Sequence, residues 1–280
     1  MTLAIAAEAS RRTSWPTVSV VIPTYNEAAN LPHVFAELPA ELHEVIVVDG
    51  HSTDGTADVA RRLRPDAVIL QQTRRGKGNA LCCGFAAATG DIIVMLDADG
   101  SADPAEIERF VAALVAGADF AKGTRFADGG GSSDITRIRA VGNRALNGLV
   151  NSLYRTSYTD LCYGYNAFWS RCLPALDLCT GERADEMQWG DGFEIETIIN
   201  TRVARARLRV VEVPSFERPR VYGTSNLNAV TDGLRVLRAI AEERRRGPAA
   251  GQPALRSISP EDVYPSDRVI DLRDRVSVAS

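Results

Sequence analysis

Four aliphatic runs constrain this chain more than any other feature: VSVVIP (18–23), VIVVDG (45–50), AVILQQ (67–72) and DIIVMLDADG (91–100). They are built on consecutive Val and Ile rather than on strict apolar–polar alternation, the pattern of strands covered on both faces. Helix-compatible segments separate them. One runs from about Glu27 to Leu38, with Asn26 and Glu27 at its start. A second is capped by Thr53 or Asp54 and runs through Arg64 to Pro65. A third, ALCCGFAAATG (80–90), is closed by Gly90. Alternation of this kind predicts an α/β fold with a mostly parallel central sheet flanked by helices. Ligands in such sheets bind in the crevice beyond the carboxyl ends of the strands. That rim would gather Tyr25-Asn26-Glu27, Asp49 and Asp97-Ala98-Asp99.

The second half is less regular. ADFAKGTRF (118–126) reads as a strand and turn, and DGGGSSD (128–134) as a flexible loop. A helix is expected over 138–155 with Leu146, Leu149, Val150 and Leu153 on one face. Another spans about 193–204, and LRVVEVP (208–214) is a strand. Residues 226–246 form an amphipathic helix on which Leu227, Val230, Leu234, Leu237 and Ala241 recur at helical spacing. The resulting organisation is a loose tail over 1–16, a catalytic domain over 17–225, the C-terminal helix 226–246, and a mostly disordered tail over 247–280.

Composition narrows the function. The 280 residues are 45% hydrophobic with a net charge of -4, which gives no basic footprint for nucleic acid. Five cysteines form no CxxC pair and lie near no histidine cluster, so reduced thiols in a cytoplasm are expected rather than a zinc site. No stretch is apolar enough over about eighteen residues to span a bilayer.

The chemistry concentrates on the predicted rim. Asp97 and Asp99 alternate to the same side of an extended segment, where two carboxylates suit Mg²⁺ or Mn²⁺ bound partly through substrate phosphates. On the residues alone the pair fits an Asp-Gly turn equally well, with Asp97 capping a neighbouring helix. Asp49 can accept from the N–H edge of a nucleobase or act as a turn acid, and Asp54 reads as a helix cap. Gly76 and Gly78 bracket Lys77, which can meet phosphate charge, but the spacing is not that of a P-loop. Arg125, Arg137, Arg139 and Arg220 carry forks that match phosphate oxygens.

Taken in order, VSVVIPTYNEAANL (18–31), VIVVDGHSTDGT (45–56), RRGKGNAL (74–81), DIIVMLDADGSADP (91–104), KGTRF (122–126), GFEIE (192–196) and EVPSFERPRVYGTSNL (212–227) resemble the family 2 glycosyltransferases. Within that family they are most similar to the polyprenyl (dolichyl) phosphate mannosyl or glucosyl synthases. The resemblance implies a GT-A nucleotide-sugar-binding fold. It implies an inverting, metal-dependent transfer of a hexose from a GDP-mannose or UDP-glucose type donor to a polyprenyl phosphate. A soluble hydroxyl acceptor, or a degenerate nucleotide-sugar-binding protein, is the alternative. Carried over by position, Pro23, Tyr25, Glu27, Asp49 and Lys77 would bind the donor nucleotide. Asp97 would face the ribose and metal, and Asp99 would hold the metal against the diphosphate. Arg125 and Arg220 match arginines around the acceptor phosphate and the sugar diphosphate, and Glu196 matches an acidic position after GF. Departures from the family pattern are Gly50 after Asp49, Ser101 two residues after the DxD, and Asn226 in place of a lysine. For a hydroxyl acceptor, the base candidates are Asp191, Glu194 and Glu196, with Glu196 preferred and Asp191 second, the latter on a Gly-Asp-Gly stretch expected to be exposed. Residues 226–246, ending in Arg244–Arg246, would either pack on the catalytic domain or make peripheral membrane contact, at the inner face for a cytoplasmic enzyme.

Overall fold

The computed structural model describes residues 15–178, 186–223 and 229–246. The expected tails and the start of the C-terminal helix therefore lie outside the described residues. In chain order the first half contains β1 (Val18–Thr24), α1 (Leu31–Glu37), β2 (Glu44–Asp49), α2 (Thr56–Leu63), β3 (Val68–Gln71), α3 (Lys77–Ala87), β4 (Ile92–Met95) and α4 (Ile107–Val115). The second half contains β5 (Phe120–Thr124), β6 (Gly131–Ser132), α5 (Arg137–Tyr154), β7 (Asn166–Trp169), α6 (Leu173–Leu176), α7 (Ile195–Arg205), β8 (Val210–Pro214), β9 (Phe216–Glu217) and α8 (Ala229–Arg245).

Seven strands form one sheet in the order β3-β2-β1-β4-β7-β5-β8. β1 lies between β2 and β4 and is parallel to both, and β3 and β8 also pair in parallel. Of the seven, β7 alone runs antiparallel, between β4 and β5. The chain winds outward from β1 through β2 to β3, then returns to place β4 on the other side of β1. This reversal opens a crevice beyond the carboxyl ends of β1, β2 and β4. Pairing of β1 with β4 stops at Val21–Met95. Pro23, which has no N–H to donate, therefore lies where β1 has a ladder neighbour on one side only.

Val20, Val21, Ile22, Ile46, Val47, Val48, Ile92, Ile93 and Val94 are all fully buried, as their double-sided β-branched pattern predicts. α3 lies directly on this layer. A Cβ on Gly84 would come within 2.3 Å of Val21 Cγ1, so the glycine sets how closely the helix approaches β1. α3 begins three residues earlier than expected, at Lys77, and ends at Ala87 rather than at Gly90. Gly90 serves the strands instead: its N–H donates to Ser19 Oγ at 2.9 Å.

Three further expectations are corrected. β4 is only four residues long, so Asp97 and Asp99 lie on the turn that follows it, not on the strand. Within the glycine loop, Gly131 and Ser132 pair with Phe216 and Glu217 as a short parallel ladder. α8 is rotated relative to the expected face. Val236, Ala239 and Ile240 are buried, whereas Leu234 and Leu237 are 62% and 45% exposed. Glu243 explains the rotation. It is wholly buried and bridges Arg202 (2.8 Å) and Arg205 (2.9 Å) of α7. Turning it outward would leave Arg202, itself nearly buried, without its carboxylate, which costs more than exposing two leucines. Val236 and Ile240 close a second small core with Val150, Tyr158 and Leu161. On α5, Val150 is buried as expected while Leu149 is exposed.

Candidate active site

A cavity of about 750 Å³ opens on the carboxyl-end rim. Its donor-side wall is Pro23-Thr24-Tyr25 at the end of β1, Gly50-His51 after β2, Gly76-Lys77 at the start of α3, and Asp97-Ala98-Asp99 after β4. The three sequence clusters thus converge because three parallel strands end together. Asp49 stands just behind this wall. One carboxylate oxygen accepts the Ser52 N–H at 3.1 Å, and the other, Oδ1, is buried with no hydrogen-bond partner among the described residues. Gly50, which stands where the family often carries a second acid, donates its N–H to Thr24 O at 2.8 Å. A Cβ there would press to 2.9 Å on the same carbonyl oxygen, so the close junction of β1 and β2 favours glycine.

The DxD turn is held by two cations, one on each aspartate. Lys77 Nζ lies 2.7 Å from Asp97 and 2.8 Å from Glu196 of α7. Burial works against the ammonium, but Asp97 and Glu196 hold its pKa well above the ordinary lysine range. Glu196 is pushed up by burial, an effect that Lys77 only partly offsets. The three groups meet because residue 164 is glycine. A Cβ there would come within 2.9 Å of Lys77 Nζ and 3.1 Å of Glu196 Oε1.

Arg220 engages the other aspartate, at 2.9 Å from Asp99 and 3.0 Å from Glu27. Glu27 is raised by burial despite Asn30 and Arg220. Arg220 belongs to a strap over the turn. Arg218 N–H donates to Ser101 O (2.7 Å), Val221 N–H to Asp99 O (3.1 Å), and Tyr222 N–H to Asn30 Oδ1 (2.8 Å). Gly100, at φ 75° and directly beneath Val221, is required twice over. Its backbone is left-handed, and a Cβ would sit 2.7 Å from Val221 Cγ2.

Arg125 is placed differently. All three guanidinium nitrogens are engaged: Nε and Nη2 with Asp160 at 2.7 and 2.9 Å, and Nη1 with Glu217 at 3.0 Å. Asn143 adds a hydrogen bond to Asp160 Oδ1 at 2.9 Å, and the guanidinium lies 4.8 Å from the Tyr163 ring. Arg125, Asn143, Tyr163 and Glu217 line the cavity, with Asp160 buried behind them, so this cluster is part of the cavity wall. Arg139 also lines the cavity, at 3.6 Å from Asp134.

The Gly190-Asp191-Gly192 stretch before α7 is not exposed. Asp191 is 2% exposed and grips Arg74 through two bonds of 2.7 Å. Its carbonyl also accepts the Gly78 N–H at 2.7 Å. Both glycines of RRGKGN are required for that fit, because Cβ atoms at 76 and 78 would meet backbone oxygens of 191 and 190 at 2.2 and 1.9 Å. Glu194 accepts from the Gly190 N–H (3.2 Å) and turns toward its own loop, leaving Glu196 as the acid of α7 on the cavity.

Sequence reasoning missed Asp160, Tyr163, Gly164 and Glu217, all essential to this wall. TDLCYGYN (159–166) carries a signal in its buried-type acid and its Tyr-Gly-Tyr. It lacks the consecutive β-branched residues that flag the other strands. β7, its continuation, was missed for the same reason.

The acids fit a hard divalent cation. Asp97, Asp99, Glu27 and Glu196 are paired with Lys77 and Arg220, a formal excess of two negative charges, and all offer oxygen ligands. Among the described residues no three such side chains converge closely enough to hold a metal by themselves. A metal here would be completed by substrate oxygens.

The family model for glycosyl transferase family 2 matches residues 19–171. The chain is 31% identical over 223 residues to the glycosyltransferase AglJ of Haloferax volcanii, covering 77% of this chain and 68% of that protein. It is 32% identical over 219 residues to the polyprenol monophosphomannose synthase of Mycolicibacterium smegmatis, covering 75% and 80%. Among solved structures it is similar to glucosyl-3-phosphoglycerate synthase from Mycobacterium tuberculosis in complex with Mn²⁺, UDP and glucosyl-3-phosphoglycerate. There the TM-score is 0.63 at 21% identity, covering 86% of this chain and 82% of that one.

Proposed function

Because the chain belongs to glycosyl transferase family 2, we propose that it transfers a hexose from a GDP-mannose or UDP-glucose type donor to a polyprenyl phosphate, with inversion. The observation that carries the acceptor is the shape of the cavity. It is continuous from the acidic donor wall to a second end between α5 and α8, walled by Ile135, Ile138, Leu146 and Val236. A hydroxyl acceptor such as a small polar acid has no use for an aliphatic slot, whereas a prenyl chain gains by entering one. Arg139 lies on that wall and offers donors to an acceptor phosphate.

In the proposed reaction Pro23 and Tyr25 flank the nucleotide, and Asp49, buried behind Gly50, supports the wall beside the base through its bond to Ser52. Asp97 and Asp99 would hold Mg²⁺ or Mn²⁺, which would offset charge on the diphosphate leaving group. Arg220, released from Asp99, turns its fork to the same diphosphate, and Lys77 remains as a fixed positive charge beside it. The acceptor phosphate is already anionic, so its oxygen attacks the anomeric carbon without a strong base. Attack from the face opposite the leaving group inverts the centre. Glu196 is not required as a base in this scheme; it orients Lys77. Arg125 braces Asp160 and Glu217 beneath the acceptor side rather than touching phosphate.

Incubation with radiolabelled GDP-mannose or UDP-glucose, Mn²⁺ and either a polyprenyl phosphate or phosphoglyceric acid tests the proposal. Label in a mild-acid-labile lipid is expected. Label only in the soluble acceptor would transfer the reading to the hydroxyl class. Metal-independent binding with no turnover of any donor would indicate a nucleotide-sugar-binding protein.

A further inference from the structure

Asn30 stands at the N-cap of α1, where an asparagine side chain ordinarily accepts a bond from the first turn of its own helix. Here it makes no such bond. The side chain is 3% exposed and turns instead to a residue 192 positions along the chain. Its Oδ1 accepts the Tyr222 N–H at 2.8 Å, and its Nδ2 donates to Tyr222 O at 3.2 Å. One amide thus pairs with both backbone groups of a single residue, as a neighbouring strand would. Nδ2 also donates to Glu27 Oε2.

Arg220 lies between the two ends of this arrangement. Its Nη1 is 3.0 Å from Glu27 Oε1, and its Nη2 is 2.9 Å from Asp99 Oδ2. Asn30 therefore fixes Arg220 by two routes, through the backbone at Tyr222 and through the carboxylate on which Nη1 rests. The second route survives when Nη2 leaves Asp99, so Glu27 serves as a pivot for the fork. Apolar packing does little to hold the strap. Val221 and Tyr222 are 41% and 52% exposed. Pro219 and Val221 border a separate cavity of about 340 Å³ shared with Val34 and Pro104. At the amino end Arg218 pairs with Glu37 and Asp103, but it is 43% exposed, where ion pairs hold weakly. The buried amide is the stronger tie.

We propose that Asn30 is a positioning residue that seats the strap and Glu27 together, so that the fork of Arg220 is delivered to the donor diphosphate. Asn30 itself is not on the cavity wall and acts through Arg220. The seat stands on geometry alone; its consequence rests on the reading of Arg220 as a diphosphate ligand.

Limited trypsin digestion of the full chain, read by mass spectrometry, tests the seat without substrate. Cleavage between Arg220 and Val221 is expected to be about fivefold or more faster in Asn30→Ala than in the wild type, with cleavage at other arginines unchanged. Uniform acceleration would show a general loss of stability, and no acceleration would show that the strap holds without the amide. Either result overturns the proposal. Should Asn30→Ala fail to fold by circular dichroism, Asn30→Asp keeps the size and the acceptor for Tyr222 N–H but loses both donors. The same local acceleration is then expected, and its absence overturns the seat.

The consequence is read by a double-mutant cycle with GDP-mannose or UDP-glucose, Mn²⁺ and a polyprenyl phosphate. Asn30→Ala should lower kcat/KM roughly tenfold in the wild type and less than about twofold in an Arg220→Ala background, because the residue through which it acts is gone. Losses that multiply in full would overturn the positioning role. Failure of the functional reading has a different signature. Neither donor is turned over, or Arg220→Ala leaves kcat/KM unchanged, while the local tryptic acceleration persists; the delivery to diphosphate is then overturned and the seat stands.

Discussion

Two charge clusters share the cavity wall and are built from the same residue types. At the donor end, Lys77 and Arg220 each hold two carboxylates from different elements, and Asp97 remains 36% exposed on its side chain. At the acceptor end, Arg125, Asp160 and Glu217 form one sealed unit whose side chains are at most 11% exposed. The first has unequal formal charge and open approach, so its cations can exchange partners when substrate arrives. The second also carries one more carboxylate than cation, but it is buried, hydrogen-bonded by Asn143 and Ser132 and covered by the Tyr163 ring, so its partners are fixed. An arginine on a cavity wall is therefore not in itself a phosphate ligand; what already occupies its fork decides.

The comparison breaks most easily through the sealed cluster. Asp160→Ala should lower stability by about 3–5 kcal/mol, because Arg125 would stay buried with half its fork unpaired. Urea denaturation at pH 7 measures this, and a change below about 1 kcal/mol would mean the cluster is as exchangeable as the other. Asp99→Ala should do the reverse: kcat/KM falls by roughly 10²–10³, or about 3–4 kcal/mol of transition-state stabilisation, with little change in stability. Metal-dependent thermal stabilisation by the donor should vanish with it, and its survival would remove Asp99 from the metal site.

Gly78→Ala probes the backbone beneath the open cluster. A Cβ 1.9 Å from Gly190 O must push α3 away from the loop before α7, at about 1–3 kcal/mol of stability and a loss of Lys77 geometry. Activity falling further than stability predicts would show that Lys77 placement matters to the chemistry. The smallest effect concerns Lys122, wholly buried beside the sealed cluster with the carbonyl oxygens of Gly123 and Tyr163 at 3.5 Å. Burial lowers its pKa below the ordinary lysine value, although Asp160 and Glu212 oppose the shift. The folded state thus binds this proton less tightly than the unfolded chain does. The wild type is penalised below the depressed value and recovers as pH rises from it toward 10.5. Lys122→Met should stabilise by roughly 1 kcal/mol at pH 7, with the gain shrinking toward about pH 10. A gain that did not shrink would mean packing, not charge, governs this position.

Much of the donor half is legible in the sequence. Runs of Val and Ile specify the strands, covered on both faces in β1, β2 and β4 but partly exposed in β3 at the sheet edge, and parallel winding then delivers their carboxyl ends, with Tyr25, Asp49 and Asp97, to one rim. The acceptor half is not legible to the same degree. β7 has four residues and no β-branched side chain, so no local pattern marks it. Asp160 and Glu217 lie 35 and 92 positions from Arg125 and meet it only in the fold. The rotation of α8 escapes periodicity, which weighs leucine inward and glutamate outward and cannot see that Arg202 and Arg205 await Glu243 across the interface.

By itself the sequence determined the α/β class, the strands β1 to β4 and the acids that gather at their ends, because these follow from local hydrophobic pattern and chain winding. Only the tertiary structure decided which arginine is locked and which can exchange, which face of α8 meets the protein, and that Lys77 lies between Asp97 and Glu196. Each of those outcomes is a competition between burial and charge pairing among residues far apart in the chain, and such a competition has no local signature.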